Sequence, residues 1–124
     1  MIHYLAIFLG GGFGSLCRFA MSRWNGHPAT LLPIGTIAAN FLSCIVLGFV
    51  AGLLIEKGDD LHQVFKPFFA VGFCGGFSTF STFSLETFAL LQSGNTIHAF
   101  INVALSLIVC LLALWVGFWL QKTL

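Results

Sequence analysis

Between Gly72 and Glu86 the chain reads GFCGGFSTFSTFSLE: three glycines, five hydroxyl side chains, three phenylalanines at three-residue spacing and a closing glutamate. Two kinds of chemistry fit these residue types. Gly72, Gly75 and Gly76 weaken a helix, and a broken helix presents two charged ends. Carbonyls with partial negative charge finish the first half near Gly75 and suit a small cation. Free amides with partial positive charge begin the second half near Thr79 and suit an anion. Two such breaks meeting on a two-fold axis would offer a ring of carbonyls wide enough for one sodium-sized ion. A glycine kink that serves packing alone is the other reading, and both stay open here.

Phe80 and Phe83 share a helix face, interleaved with Ser81, Thr82 and Ser84. An aromatic ring is positive at its edge, so rings turned edge-on to a narrow path stabilise an anion without giving it a full charge to stick to. Further polar residues recur at helical spacing. Asn102, Ser106 and Cys110 are four apart, as are Thr36 and Asn40. Such stripes on apolar helices imply a hydrated or ligand-bearing track, or else hydrogen bonds between helices.

The elements that must hold these groups follow from composition. Of 124 residues, 58% are hydrophobic and 7% charged, with a mean hydropathy of +1.00; an ordinary soluble domain carries about 25% charged residues. The nine charges leave neutral windows at 1–17, 24–55, 67–85 and 87–121. Each accommodates a span of about 20 residues, the first if Arg18 snorkels to the headgroups. A single all-α membrane domain over 1–124 is predicted, with transmembrane helices at about 2–22, 32–55, 64–92 and 97–120 and the third broken near its middle. The turn-forming WNGHP, the charged EKGDDLHQ and SGN separate them. Short connections make sequential helices antiparallel neighbours and put both termini on one face.

Lys57, Lys66 and Lys122 fall on the face that bears the termini, Arg18 and Arg23 on the other. Three against two is nearly a tie under the positive-inside rule. Such a chain inserts both ways up and permits an antiparallel dimer, or a weak bias sets one orientation. Four helices filled by their own side chains leave no solute path through one chain, so a route must lie between subunits. GGGFG at 10–14, Gly48-x-x-x-Gly52 and Gly72-x-x-x-Gly76 offer faces for close helix contact.

Several function classes are excluded or weakened. The N-terminus lacks the basic region of a cleavable signal, and no basic run points to nucleic acid. The four cysteines fall one per span without metal-ligand spacing, and the four histidines sit at span ends or in loops. No phosphate-binding G-x-x-x-x-G-K-[ST] run is present. A proton-coupled multidrug exporter of this size would carry a carboxylate in its first helix, and residues 1–22 contain none.

GFCGGFSTFSTFSLE closely resembles the signature of the small fluoride channels of bacteria, the CrcB or Fluc family. The resemblance continues in GGGFGSLCRF (10–19) and GTIAANFL (35–42) and covers essentially the whole chain. It implies an antiparallel, dual-topology homodimer in the bacterial inner membrane, conducting fluoride passively through two pores, with a structural sodium ion at the dimer centre. By the resemblance, Phe80 and Phe83 are the ring-edge fluoride contacts and Asn40 orients them and donates to the ion. Gly75 and Ser78 give backbone carbonyls to sodium. Arg18 attracts anions into a vestibule, while Thr82, Ser84 and Glu86 lie along the path, Glu86 towards a mouth. Ser106 and Cys110 stand where relatives can have a histidine and a serine. The expected benefit is acid chemistry: HF crosses membranes neutral and dissociates inside, and a potential negative inside drives fluoride out with about 2.3 kcal/mol per charge per 100 mV.

Overall fold

The computed structural model describes residues 1–23, 31–57 and 63–124. The predicted WNGHP turn and the Gly58–His62 part of the charged loop, with His27 and His62, lie outside them. Every regular element among the described residues is helical. Helix α1 spans Ile2–Ser22 and α2 spans Ile34–Lys57. A π-helical segment, Lys66–Phe73, runs into the short α3, Cys74–Phe77; α4 covers Phe80–Gln92 and α5 Thr96–Thr123. Taken by length and apolar composition, Ile2–Ser22, Ile34–Glu56, Lys66–Gln92 and Thr96–Thr123 are four helical stretches able to cross a membrane.

Local chemistry explains the boundaries. Helix α2 starts two residues later than predicted because Pro33 disfavours helical backbone at Leu32; the Pro33 carbonyl instead accepts the Ile37 amide at 3.1 Å. Pro67 sits in the first turn of the third span, where its missing amide costs no bond. The wider π turn there lets the Cys74 amide reach back five residues to the Phe69 carbonyl. Helix α4 stops at a Schellman turn: Asn95 donates to the Leu90 carbonyl at 2.9 Å and Gly94 to Leu91 at 3.1 Å. Gly94 takes φ 79°, the left-handed conformation that this motif gives to glycine.

The interior is built from small residues, with Ala6, Ala39, Ala99 and Ala113 all buried, while Phe8, Leu16, Leu111 and Trp115 face outward. In lipid that distribution is stable, because large apolar side chains lose nothing by facing acyl chains and small ones let backbones meet. Helix α1 packs along the π segment and α3, and α2 along α5. A Cβ on Gly10 or Gly14 would strike the carbonyl oxygen of Phe68 or Phe73, and one on Gly48 or Gly117 that of Leu114 or Ile45.

The small-residue faces make the close helix contacts expected of them inside the chain: Gly10, Gly14, Gly72 and Gly76 join α1 to the third span, and Gly48 joins α2 to α5. The expectation that the glycines themselves break the third helix is corrected. Gly75 and Gly76 keep helical backbone in α3, and Gly72 lies in the π segment. The residues that leave the helix are Ser78 (φ −74°, ψ 155°) and Thr79 (φ −150°, ψ 113°), both extended.

Candidate functional site

Ser78 and Thr79 centre the site. The Ser78 amide still donates to the Cys74 carbonyl at 2.9 Å, and its hydroxyl donates to the same oxygen at 2.8 Å. A third donor, Ser43 Oγ on α2, reaches that carbonyl at 3.1 Å. The next amide turns away: Thr79 N–H donates to Asn40 Oδ1 at 2.8 Å rather than to the Gly75 carbonyl four residues back. Thr79 then caps α4, its Oγ1 accepting the Thr82 amide at 3.2 Å and lying 3.1 Å from Thr82 Oγ1 and 3.2 Å from Ser81 Oγ. An N-cap threonine satisfies one of the first amides of a helix and leaves the positive end of the dipole beside it. The first turn of α4 carries no acidic residue to neutralise that end.

A cavity of about 230 Å³ opens on one side of this junction. Phe80, Phe83, Asn40 and Ser78 wall it from the junction, and Ser106, Cys110 and Cys44 from α5 and α2. The Phe80 and Phe83 ring centroids are 5.7 Å apart at an interplanar angle of 39°. With Oδ1 held by Thr79, the remaining polar group of the Asn40 amide is its NH2 donor. Ser106 Oγ is buried with no protein partner. The lining holds no Asp, Glu, Lys or Arg, so the cavity is neutral and donor-bearing, an environment for an anion that must not be held by a fixed charge.

On the other side, Arg18, Ser15, Thr36, Thr79 and Thr82 line a second cavity of about 260 Å³. Thr79 therefore faces both. Thr36 Oγ1 donates to Glu86 Oε1 at 2.8 Å, while Glu86 Oε2 is buried without a partner. Glu86 also borders a third cavity, of about 490 Å³, with Ser93 and Asn95.

The residues singled out in the sequence thus divide into groups. Asn40, Ser78, Phe80, Phe83, Ser106 and Cys110 share the first cavity; Arg18, Thr36 and Thr82 share the second, with Glu86 bonded to Thr36. Both i, i+4 stripes are split. Asn40 turns to Thr79 and Thr36 to Glu86; Ser106 and Cys110 face the cavity, whereas Asn102 is fully buried and donates to Thr87 Oγ1 at 2.9 Å. Thr87 in turn donates to the Phe83 carbonyl at 2.8 Å, which ties α5 to the helix bearing the ring pair. Ser81 and Ser84 are exposed on α4. Gly75 has open space where a Cβ would stand. Sequence reasoning missed Thr79 as a cap, Ser43 as a clasp on α3 and Cys44 as a lining residue. A Ser/Thr/Asn reading of helix starts would have found Thr79; nothing local marks the other two.

Comparison with known proteins adds a family-level finding. A family model described as CrcB-like protein, Camphor Resistance (CrcB), matches residues 5–118. Among curated relatives, the Fluoride-specific ion channel FluC of Pyrococcus horikoshii is 40% identical over 94% of this chain and 93% of its own. The protein of that name from Serratia proteamaculans is 41% identical over 94% of each chain, and that from Francisella philomiragia 34% over 93% and 91%.

Proposed function

The chain belongs to the CrcB family, and we infer that it is a fluoride channel, a multi-pass membrane protein that lets fluoride leave the cytoplasm down its electrochemical gradient. One observation carries the reading at the level of residues. Where Thr79 leaves the helix for Asn40, the capped positive end of α4 opens on a neutral cavity walled by Phe80 and Phe83. A small hard anion passing there meets ring edges and the donors of Asn40 and Ser106, and no cation that would trap it. Arg18 beside the second cavity draws anions towards the junction, with Thr36, Thr82 and Glu86 along that approach and Ser81, Ser84 and Cys110 beside the ring pair. Asn102 acts one step back, through Thr87. The exporter alternative lacks its carboxylate, since α1 contains neither Asp nor Glu.

The working unit in this reading is an antiparallel homodimer in the membrane that bounds the cytoplasm, the inner membrane in a bacterium. The near-tie of basic residues on the two faces supports it. A sodium ion fits at the centre of such a dimer. The Gly75 carbonyl is left without the Thr79 amide that a continuous helix would aim at it, Ser78 is extended, and no neighbouring atom crowds Gly75. The carbonyls of Gly75 and Ser78 from each subunit would hold the ion, which supplies positive charge to fix the two helical breaks against each other.

The test is release of fluoride from liposomes holding the purified protein, read with a fluoride electrode under a voltage set by a potassium gradient. Fluoride efflux with chloride retained is expected. Efflux no faster than from protein-free liposomes overturns the proposal.

A further inference from the structure

Two of the four cysteines, one on α2 and one on α5, border the same cavity. Cys44 on α2 and Cys110 on α5 lie on two closely packed helices, where Gly48 and Gly117 bring the backbones together. Their side chains lie within interaction range of each other across a shared cavity. Both line the cavity that holds Phe80 and Phe83, and both are only half-buried. Cys74, by contrast, is buried with its thiol given to the Ser43 carbonyl at 3.6 Å, and Cys17 on α1 does not line this cavity.

A thiol is a weak hydrogen-bond donor and serves a hard anion poorly. Two thiols bordering one cavity are well suited to something else. Soft d10 cations take linear coordination by two thiolates, and soft ligands select them over harder ions. A tetrahedral zinc site would need further ligands, and among the described residues no group of three or more His, Cys, Asp or Glu is gathered. Ser106 Oγ, 6% exposed by residue and without a protein partner, borders the same space.

We propose that Cys44 and Cys110 form a two-thiolate site for a soft, thiophilic cation of the copper(I), silver(I) or mercury(II) class, and that its occupancy closes the ion path. Binding of mercury(II) releases one proton from each thiol and forms two sulfur–mercury bonds with no change of oxidation state, so no oxidant is involved. The ion then sits between α2 and α5, in the space that Asn40, Phe83 and Ser106 border. The blocking step rests on the fluoride path proposed above; the binding step does not.

The experiment uses the full chain, purified in detergent, and mercury(II) chloride at one equivalent per chain. Residual free thiols and the ultraviolet charge-transfer absorbance of mercury thiolate are read in parallel. Wild type and Cys17→Ser should each lose two thiols per mercury, whereas Cys44→Ser and Cys110→Ser should lose at most one and show a weaker charge-transfer band. An unchanged two-thiol stoichiometry in both cavity variants, or one thiol lost per mercury in wild type, would overturn the site. The same samples in liposomes give the second readout, with efflux compared to each variant's own rate before mercury. Wild type should lose fluoride efflux on addition of mercury and Cys44→Ser should keep its own rate; equal block of both overturns the closure. If untreated wild type carries no fluoride, the channel reading fails while the thiol count still judges the site.

Discussion

Thr79 gives its backbone amide to the side chain of Asn40, 2.8 Å away on another helix and 39 positions back in the chain. This bond does three things at once. It takes the amide from the Gly75 carbonyl, it sets which end of the Asn40 amide faces the cavity, and it turns the chain so that Thr79 Oγ1 caps α4. The positive end of α4 and the ring pair are both placed by it.

Asn40 therefore has a positioning part, through Oδ1, and a contact part, through Nδ2, that substitution separates. Asn40→Asp keeps an acceptor for Thr79 but replaces the donor with negative charge. It should fold and migrate as wild type by size exclusion yet lose fluoride efflux. Asn40→Ala should lose efflux and stability together, by about 1–3 kcal/mol for a buried amide left unpaired. Fluoride efflux from Asn40→Asp at the wild-type rate would remove the donor role.

The ring pair makes a different demand. Phe80 is 80% exposed within the single chain, so shortening it removes little packing there. Phe80→Ile or Phe83→Ile should cut fluoride efflux by about tenfold or more, roughly the worth of a lost aromatic contact. The melting temperature and the elution volume should barely move. Undiminished efflux with either isoleucine would show that apolar bulk, not the ring edge, is what the path needs.

The four spans were legible because they depend on something local, the long windows between charges, and the ring pair because three-residue spacing puts Phe80 and Phe83 on one face. What escaped was what depends on the partner helix. The i, i+4 relation of Thr36 to Asn40 holds, but each side chain meets a different element, and only packing decides which. Likewise GGGFG and Gly72-x-x-x-Gly76 announce close contact without saying with whom, and the structure spends them on each other. The departure from the helix at Ser78–Thr79, two residues beyond the glycines, needs Asn40 and Ser43 on α2 to hold it.

That division of glycines is testable. Gly14→Ala would drive its Cβ into the Phe73 carbonyl, a backbone atom that cannot rotate away. Overpacking of this kind costs about 1–3 kcal/mol or more, so the variant should melt lower and assemble poorly. Gly75→Ala meets no atom within 4 Å in the chain. Its own fold should stand, and any loss should appear as weaker dimerisation or weaker dependence on sodium, read by size exclusion with sodium replaced by a large organic cation. Equal destabilisation of both would place Gly75 in the chain's own core and not at a subunit contact.

The near-tie of basic residues predicts how insertion can be steered. Lys57, Lys66 and Lys122 face Arg18 and Arg23 across the membrane, three against two. Thr123→Lys with Leu124→Lys, both at exposed positions, raises the first face to five and should hold it in the cytoplasm. Ser22→Arg with Ser93→Lys gives the opposite face four against three and should favour the reverse orientation. If the conducting unit is antiparallel, each double variant expressed alone should give little fluoride efflux, because its chains all point one way. Expressed together they should recover it, since each supplies the orientation that the other lacks. Full efflux from Thr123→Lys with Leu124→Lys alone, in chains shown by terminal accessibility to share one orientation, would establish a parallel unit and remove the two-fold axis in the membrane plane on which the sodium site depends.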